Sequence, residues 1–393
     1  MEVYHQFEPK EIYLQPDDPE EDYYESQIFN STHWGQRKLA MALIQFLTFY
    51  WDPITNPNPI VVYAGAAPGT NISVVSELFP RIQWELYDPG NFDIKASEKI
   101  HLHQEYFTDD VAKKWANRKD ILFVSDIRRP IYTEESAQVE SEQTIWEDMQ
   151  SQARWYGIMK PVKAQLKFRL PFVSPELSKY FKRYVPYLNG DVFKGIWAPE
   201  HSTETRLVPN GYDYVYWDIK KYESQMFYFN IRVRGVKKYL NPFYTGEYGK
   251  LPIDPPELLN DFDSLAETYV WILYHTKLWG EKEATLNHVQ DASYFLTAGL
   301  NNFIPDKSKW LTIHKKRIET KIHELKSKRK YAQKELQKPN LTPERIAKLQ
   351  TMINEAQNYD FDTSIRNVAN LILQYENDPQ YKDFSAFILN KLK

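Results

Sequence analysis

The chain has 393 residues, 42% of them hydrophobic, with 11 Trp, 28 Tyr and 21 Phe, which excludes a disordered polymer and gives material for two to three domains of roughly 150 residues. It has no cysteine, so disulfides, thiolate metal sites, iron–sulfur clusters and thiol nucleophiles are excluded together, and a reducing compartment is expected. The net charge of −4 cancels two opposite regions: residues 1–25 hold nine acids against one Lys, net −8, and residues 306–338 hold twelve Lys and Arg against four acids, net +8.

No run approaches the roughly 18 consecutive apolar residues of a membrane-spanning helix, and Met1-Glu2-Val3-Tyr4-His5 lacks the basic-then-apolar order of a signal peptide, so a soluble intracellular chain is expected. The acidic opening through Pro16-Asp17-Asp18-Pro19-Glu20-Glu21-Asp22 reads as an exposed, solvated arm. From Ser31 onward Leu39, Leu43, Ile44 and Leu47 recur at helical spacing until Asp52-Pro53, with Lys38 on the first turns. Ile60 to Ala64 predicts a strand, Gly65-Ala66-Ala67-Pro68-Gly69-Thr70 a tight loop, and the segment to Leu78 a helix. Strands are expected at Ile82 to Tyr87, ending on Asp88-Pro89-Gly90, and at Ile121 to Val124, ending on Ser125-Asp126. A helix between Ser141 and Met159 precedes a strand from Ala164 to Leu170 that contains Lys167, and strands at Val192 to Trp197 and Tyr212 to Trp217 indicate an antiparallel finish. This alternation predicts an α/β fold, a mostly parallel doubly wound sheet with helices on both faces.

Beyond Val236, Pro242, Pro252, Pro255 and Pro256 punctuate an irregular linker over 236–260, and a mainly helical C-terminal region is expected over 261–393. Leu311, Ile318, Ile322, Leu325, Ala332 and Leu336 form a seam-like stripe, and Thr342-Pro343 starts a returning helix with Ile346, Leu349, Ile353 and Ala356, so a basic helical hairpin is expected there.

Small residues after the first strand let a ligand approach the backbone, at the strand end where doubly wound sheets bind nucleotides. Asp88, 23 residues beyond Gly65, suits ribose hydroxyls. The loop is neither GxGxxG nor a GK[ST] phosphate loop, which disfavours nicotinamide and ATP and favours a nucleoside ligand without pyrophosphate, S-adenosylmethionine foremost. Asp126 reads either as a site acid or as a helix cap. Lys167 interrupts a buried strand, which is costly for an ammonium without partners, unless it snorkels from the strand end.

Five separated motifs carry a resemblance over roughly residues 20–235: Gly35-Gln36-Arg37-Lys38-Leu39, Val61 to Thr70, Val124-Ser125-Asp126-Ile127-Arg128, Leu166-Lys167-Phe168-Arg169-Leu170-Pro171-Phe172 and Ser202-Thr203-Glu204-Thr205-Arg206-Leu207. In this order they resemble the poxvirus family of cap-specific mRNA 2′-O-methyltransferases that double as regulatory subunits of the viral poly(A) polymerase. The wider group is the Lys-Asp-Lys-Glu RNA ribose methyltransferases with an FtsJ-like fold. The resemblance implies a Rossmann-like methyltransferase domain over 31–235, an arm over 1–30 contributing to a cap pocket, and a catalytic tetrad of Lys38, Asp126, Lys167 and Glu204. Lys167 is the candidate base for the ribose hydroxyl, and it must be neutral to act, whereas an unperturbed lysine near 10.4 is charged at neutral pH. Desolvation, Lys38 and the cofactor sulfonium act toward neutrality; Asp126 and Glu204 act against it. No metal is required.

The implied cofactor contacts are Tyr63, Gly65, Ala67, Pro68, Gly69, Asn71, Asp88, Phe107 and Asp126, with Asn71 in place of a family histidine and Gly90 in place of a family arginine. The implied cap pocket uses Phe172 and Tyr24, with Tyr23 the alternative ring, and Glu223 as edge-reading carboxylate. Ser174 stands where the family has a second carboxylate, and Glu176 is the candidate substitute. Arg128 is expected to grip RNA phosphate. Capped mRNA and a viral poly(A) polymerase catalytic subunit are the implied partners, a homodimer is a further expectation, and the host cytoplasm, in viral factories with packaging into the virion, is the implied location. The competing reading is a largely non-catalytic RNA-binding processivity subunit. For the basic hairpin, which has no counterpart in the resemblance, RNA backbone, protein docking and simple solubility stay open.

Overall fold

A computed structural model of the chain describes residues 4–24, 35–129, 131–133, 136–139, 142–173, 177–241, 260–300, 326–327, 329–339 and 341–358. The chain divides into two compact units, residues 1–301 and 302–393. In the first unit the elements run β1 (Tyr4–Gln6), α1 (Gly35–Tyr50), β2 (Ile60–Ala64), α2 (Thr70–Leu78), β3 (Gln83–Tyr87), β4 (Ile100–His103), α3 (Asp109–Lys114), β5 (Ile121–Ser125), β6 (Ile131–Thr133), β7 (Ser136–Val139), α4 (Glu142–Met159) and β8 (Lys163–Phe168). They continue with β9 (Tyr184–Phe193), β10 (Thr205–Asp218), α5 (Ile219–Tyr228), β11 (Lys238–Leu240), α6 (Phe262–Leu273) and α7 (Leu286–Gly299).

Seven strands form the main sheet in the order β4-β3-β2-β5-β8-β10-β9. The first five are mutually parallel, and β10 runs antiparallel to both β8 and β9. β2 and β5 are buried at all five positions, as short apolar strands covered on both faces must be. The chain moves outward from β2 through β3 to β4, then returns to β5 on the other side of β2. Strand order therefore reverses between β2 and β5, and the loops leaving their C-terminal ends diverge around a crevice. Right-handed crossovers in opposite directions put α2 and α4 on opposite faces. Accordingly α1, α2, α6 and α7 pack with one another, and α3 packs with α4.

The sheet has one strand more than expected. β4 reads Ile100-His101-Leu102-His103, and its alternate histidines hide the strand signal; Glu85 of β3 accounts for them, lying 2.7 Å from both His101 Nδ1 and His103 Nε2. β9 ends at Phe193 rather than running to Trp197, because the chain turns at Ile196-Trp197, where Trp197 takes a left-handed conformation with φ +59°. The acidic arm is not a solvated tail over residues 4–24. β1 pairs with β11, Leu14 N donates to Val192 O at 2.8 Å, and Ile12 is fully buried. Its acids have partners in Lys194 (Asp18, 2.7 Å), Arg232 (Glu21, 2.7 Å) and Lys237 (Glu11, 3.0 Å).

The first unit runs through residue 301, so α6 and α7 lie within it rather than beyond the boundary expected at 236–260. The reason is a set of fully buried ion pairs: Arg234 with Asp263 at 2.9 Å, and Arg37 with Glu267. The linker prolines from Pro242 to Pro256, the helix start expected at Ser31, and Leu311, Ile318, Ile322 and Leu325 of the seam lie outside the described residues. In the second unit a helix over Pro343–Asn358 is capped by Thr342, whose Oγ1 accepts from Arg345 N at 3.2 Å, and Ala332, Leu349 and Met352 form its small core.

Asp261 caps α6 by accepting from Ser264 N at 2.9 Å, and burial reinforced by Asp263 pushes its carboxyl up to about 7. The stability tied to its neutral form is therefore full below the ordinary value of 3.8 and is lost as pH rises through about 7. Asn keeps the capping oxygen without the charge. Asp261→Asn is expected to melt above wild type at pH 8 and level with it near pH 4; identical pH profiles for the two proteins would contradict this assignment.

Candidate active site

The crevice is floored by the loop from β2 to α2. Gly65 and Gly69 have φ of +84° and +82°, values that disfavour any side chain. A Cβ on Gly65 would lie 2.8 Å from Ile127 N and 2.9 Å from the Asp126 carbonyl carbon, so only glycine lets the ends of β2 and β5 meet. Gly65 N donates to Tyr87 O at 2.9 Å, and Asp126 N donates to Ala64 O at 2.9 Å, which ties the loop to β3 on one side and β5 on the other. Asp88 braces the same loop: its carboxylate accepts from Ala67 N at 3.2 Å and from Gly90 N at 2.7 Å. Gly90 thus acts through its backbone where the family pattern would place an arginine. A carboxylate has about four lone-pair sites, so Asp88 keeps capacity for a ligand.

Asn71, on the first turn of α2, is 4% exposed, and its amide nitrogen has no hydrogen-bond partner among the described residues. A buried orphan donor costs about 1–3 kcal/mol, and a polar ligand at this helix start would relieve it. Tyr63 is buried in β2, and burial, then the Asp126 charge, holds its phenol well above the ordinary range. Phe107 packs into the core, 4.9 Å from Trp155 and 5.2 Å from Tyr87 between ring centres.

The four expected catalytic residues come together. Parallel register pairs Ser125 with Leu166, which sets Asp126 beside Lys167, and antiparallel register pairs Lys167 with Arg206, which sets Glu204 within reach. Lys167 Nζ lies 3.4 Å from Asp126 Oδ1 and 3.2 Å from Glu204 Oε2, while Lys38 Nζ donates to Glu204 Oε1 at 2.9 Å. Lys38, Asp126, Lys167 and Glu204 are between 11% and 17% exposed, open to the crevice yet mostly withdrawn from water. Burial works to raise the Glu204 pKa, but Lys167, Arg206 and Lys38 outweigh it and hold the carboxyl well below the usual range.

Arg206 is a fifth member that the motif contained without a role. It donates to Asp126 Oδ1 and to Glu204 Oε1, both at 2.8 Å, and so bridges the two carboxylates. The period of two along a strand puts residues 204 and 206 on one face, which is the signal that points to it. Gln152 of α4 is a second: its amide accepts from Lys167 N and donates to Lys167 O, both at 3.1 Å, fixing the backbone that carries the central amine. Spacing along the chain gives no hint of that contact. Arg128 is half-buried two residues beyond Asp126.

Two of the expected cap residues, Phe172 and Glu223, lie by an arginine, and Tyr24 has other partners. The Arg169 guanidinium lies 4.7 Å over the Phe172 ring and pairs with Glu142 at 2.7 Å; Glu142 also accepts from Phe172 N at 2.6 Å. Glu223 belongs to the same electrostatic neighbourhood, where burial raises its carboxyl against the opposing pull of Arg169. Tyr24 donates to Glu21 at 3.1 Å and meets Phe227 edge-on at 5.4 Å, whereas Tyr23 is 58% exposed. Glu142 is thus a carboxylate beside Phe172 that sequence reading missed, since it comes from a distant helix. Ser174 and Glu176 lie outside the described residues.

Two glycines test the loop geometry against each other. Gly65→Ala is expected to cost at least about 1–2 kcal/mol in urea unfolding, from the left-handed backbone alone. Gly157→Ala in α4, where a Cβ meets nothing within 4 Å, is expected to be neutral or stabilising by up to about 1 kcal/mol. Equal effects of the two substitutions would contradict the close approach of β2 and β5.

The model of the family described as the poly A polymerase regulatory subunit matches residues 8–274, further along the chain than the motifs alone reach. A protein of Fowlpox virus (strain NVSL), named cap-specific mRNA (nucleoside-2′-O-)-methyltransferase, is 27% identical over 239 residues, covering 55% of this chain and 73% of its own length. Proteins of the same name from Myxoma virus strains Lausanne and Uriarra are each 26% identical over 238 residues, covering 54% of this chain and 66% of theirs, just under two thirds. The family match takes in α1 to α6, including every tetrad residue and the first turn of α2 that carries Asn71, and the chain belongs to the poly(A) polymerase regulatory subunit family.

Proposed function

We propose that the chain transfers a methyl group from S-adenosylmethionine to the ribose 2′-hydroxyl of the first transcribed nucleotide of capped mRNA. The single observation that carries this reading is the convergence of Lys38, Asp126, Lys167 and Glu204 at the strand ends, beside a glycine loop on the reversal point of the sheet. The names of the relatives from Fowlpox and Myxoma viruses support it. Five parallel strands closed by an antiparallel pair also suit a Rossmann-like methyltransferase domain.

S-adenosylmethionine, when bound, supplies an electrophilic methyl on a sulfonium. Gly65, Ala67, Pro68, Gly69, Asn71 and Asp88 would hold it, and the orphan Asn71 donor and the glycine-only approach at Gly65 fit a polar, nucleoside-bearing ligand. Lys167 receives the proton of the ribose hydroxyl at Nζ. Asp126 and Glu204 hold that amine in place, and Lys38 and Arg206 offset both carboxylates, so Lys167 does not face them alone. Placing the hydroxyl and the base in one geometry supplies much of the rate. Phe172 and Tyr24 supply aromatic faces for a methylated, cationic guanine, with Glu223 and Glu142 as edge acceptors. Arg128 would meet RNA phosphate. The host cytoplasm is the compartment this reading implies.

A second reading, a processivity subunit that binds RNA for a poly(A) polymerase, is favoured by the description of the family model. One experiment separates the two. Purified protein is incubated with tritiated S-adenosylmethionine and short RNAs bearing a methylated cap, an unmethylated cap or a 5′ triphosphate. Label should enter the methyl-capped RNA preferentially, and Lys167→Ala should lower labelling about 100-fold or more while cofactor binding persists. Equal labelling of all three RNAs would overturn cap specificity. RNA binding and polymerase stimulation without any transfer would favour the second reading.

A further inference from the structure

Outside the tetrad, Glu267 of α6 is a fully buried charge whose carboxylate accepts from four side chains. Arg37 donates to it through Nε at 2.8 Å and through a guanidinium nitrogen. Trp197 Nε1 donates at 2.7 Å, Trp271 Nε1 at 3.0 Å and Ser293 Oγ at 3.0 Å. Two further Arg37 donors go to Thr297 Oγ1 at 2.8 Å and Ser293 Oγ at 2.7 Å. An ionised pair this deep requires such saturation, because each ion loses its water.

The partners of Glu267 are placed along the chain where they matter. Arg37 immediately precedes Lys38 on α1, so the turn that aims Lys38 into the crevice is anchored on its other side by Glu267. Trp197 heads the connection that leads to Glu204. Its left-handed backbone is unfavourable for a bulky residue and persists because Trp197 N donates to Asp263 Oδ1 at 3.0 Å while its indole is held by Glu267. Arg234, itself paired with Asp263, donates to Ala198 O at 2.9 Å and fastens the next residue of the same connection. Lys38 and Glu204 then meet at 2.9 Å.

We infer that Glu267 is a positioning residue of the active site: it fixes the Lys38 turn and the Glu204 connection relative to each other and acts through them, without touching substrate. The inference rests on the proposed methyl transfer for its kinetic consequence. Its structural consequence stands apart from that reading. The glycine loop and Asp88 make none of the contacts given for Glu267, so cofactor binding should be spared.

The test uses the full chain and its variants. In Glu267→Gln, kcat for methyl-capped RNA should fall about 100-fold, as for a misplacement of about 1 Å, with the KM for S-adenosylmethionine unchanged within about twofold. Arg37→Met combined with Glu267→Gln removes both charges and leaves no unpaired buried ion, and the amide oxygen keeps an acceptor for one of the two indoles. It should melt above Arg37→Met alone, which leaves the Glu267 charge buried without its partner, and still show the kcat loss. In a Lys38→Ala background, Glu267→Gln should add little further loss, since its effect passes through Lys38 and Glu204. Crystals of wild type and of the double variant read the separation of Lys38 Nζ from Glu204 without any substrate, and it should open beyond hydrogen-bonding distance only in the variant. Full kcat in a folded double variant, or a fully additive loss with Lys38→Ala, would overturn the inference. Inactive wild type with an opened contact in the variant would instead overturn the proposed reaction and leave the positioning role standing.

Discussion

Two carboxylates, Asp126 and Glu204, hold three cations at the ends of adjacent strands, and the surrounding fold keeps that balance. Lys167 and Arg206 face each other directly across an antiparallel pair, an arrangement of like charges that is unfavourable unless acids lie between them. Both acids do. Removing either would leave buried positive charge uncompensated, which typically costs about 3–5 kcal/mol. The tetrad is therefore part of what holds β5, β8 and β10 together at this end, as well as the proposed chemical machinery. Its chemistry follows from the same balance: an amine held by two carboxylates, with two other cations drawing on those carboxylates, in a place largely withdrawn from water.

The constraint extends outward in layers. Gln152 fixes the backbone of Lys167 from α4, and Glu267 fixes the segments carrying Lys38 and Glu204 from α6. One side of the sheet thus locates the central amine and the other locates its partners. This explains why α6 belongs to the same compact unit as the sheet despite the proline-rich segment before it. Docking α6 against α1 buries the Arg37–Glu267 pair, and docking it against the segment after α5 buries the Arg234–Asp263 pair, so both pairs require α6 to be in place.

The sheet was largely legible because its central strands are short apolar runs ended by Gly65, Asp88 and Asp126. β2 was read at its observed bounds, and the approach of Gly65 to Asp126 explains why a glycine follows it. What escaped reading shares one physical cause, polar residues whose partners are remote in sequence. The histidines of β4 conceal a strand until Glu85 is placed beside them. The acids of the N-terminal segment look solvated until Lys194 and Arg232 meet them. Arg37 and Glu267 are 230 residues apart, and neither carries any local sign of the other. The tetrad was assembled by resemblance to a family; strand-end acids and an in-strand lysine alone pointed only to a nucleoside-binding crevice.

The central claim is that this crevice methylates a ribose oxygen at one position, and locating the methyl group tests it most directly. Methyl-capped RNA is reacted with the protein and S-adenosylmethionine, digested to cap dinucleotides and analysed by mass spectrometry, alongside an RNA whose first transcribed nucleotide is 2′-deoxy. The account predicts a single added methyl on the ribose of that first nucleotide and none on the deoxy RNA. A methyl on the guanine, on a later nucleotide, or undiminished transfer to the deoxy RNA would contradict it.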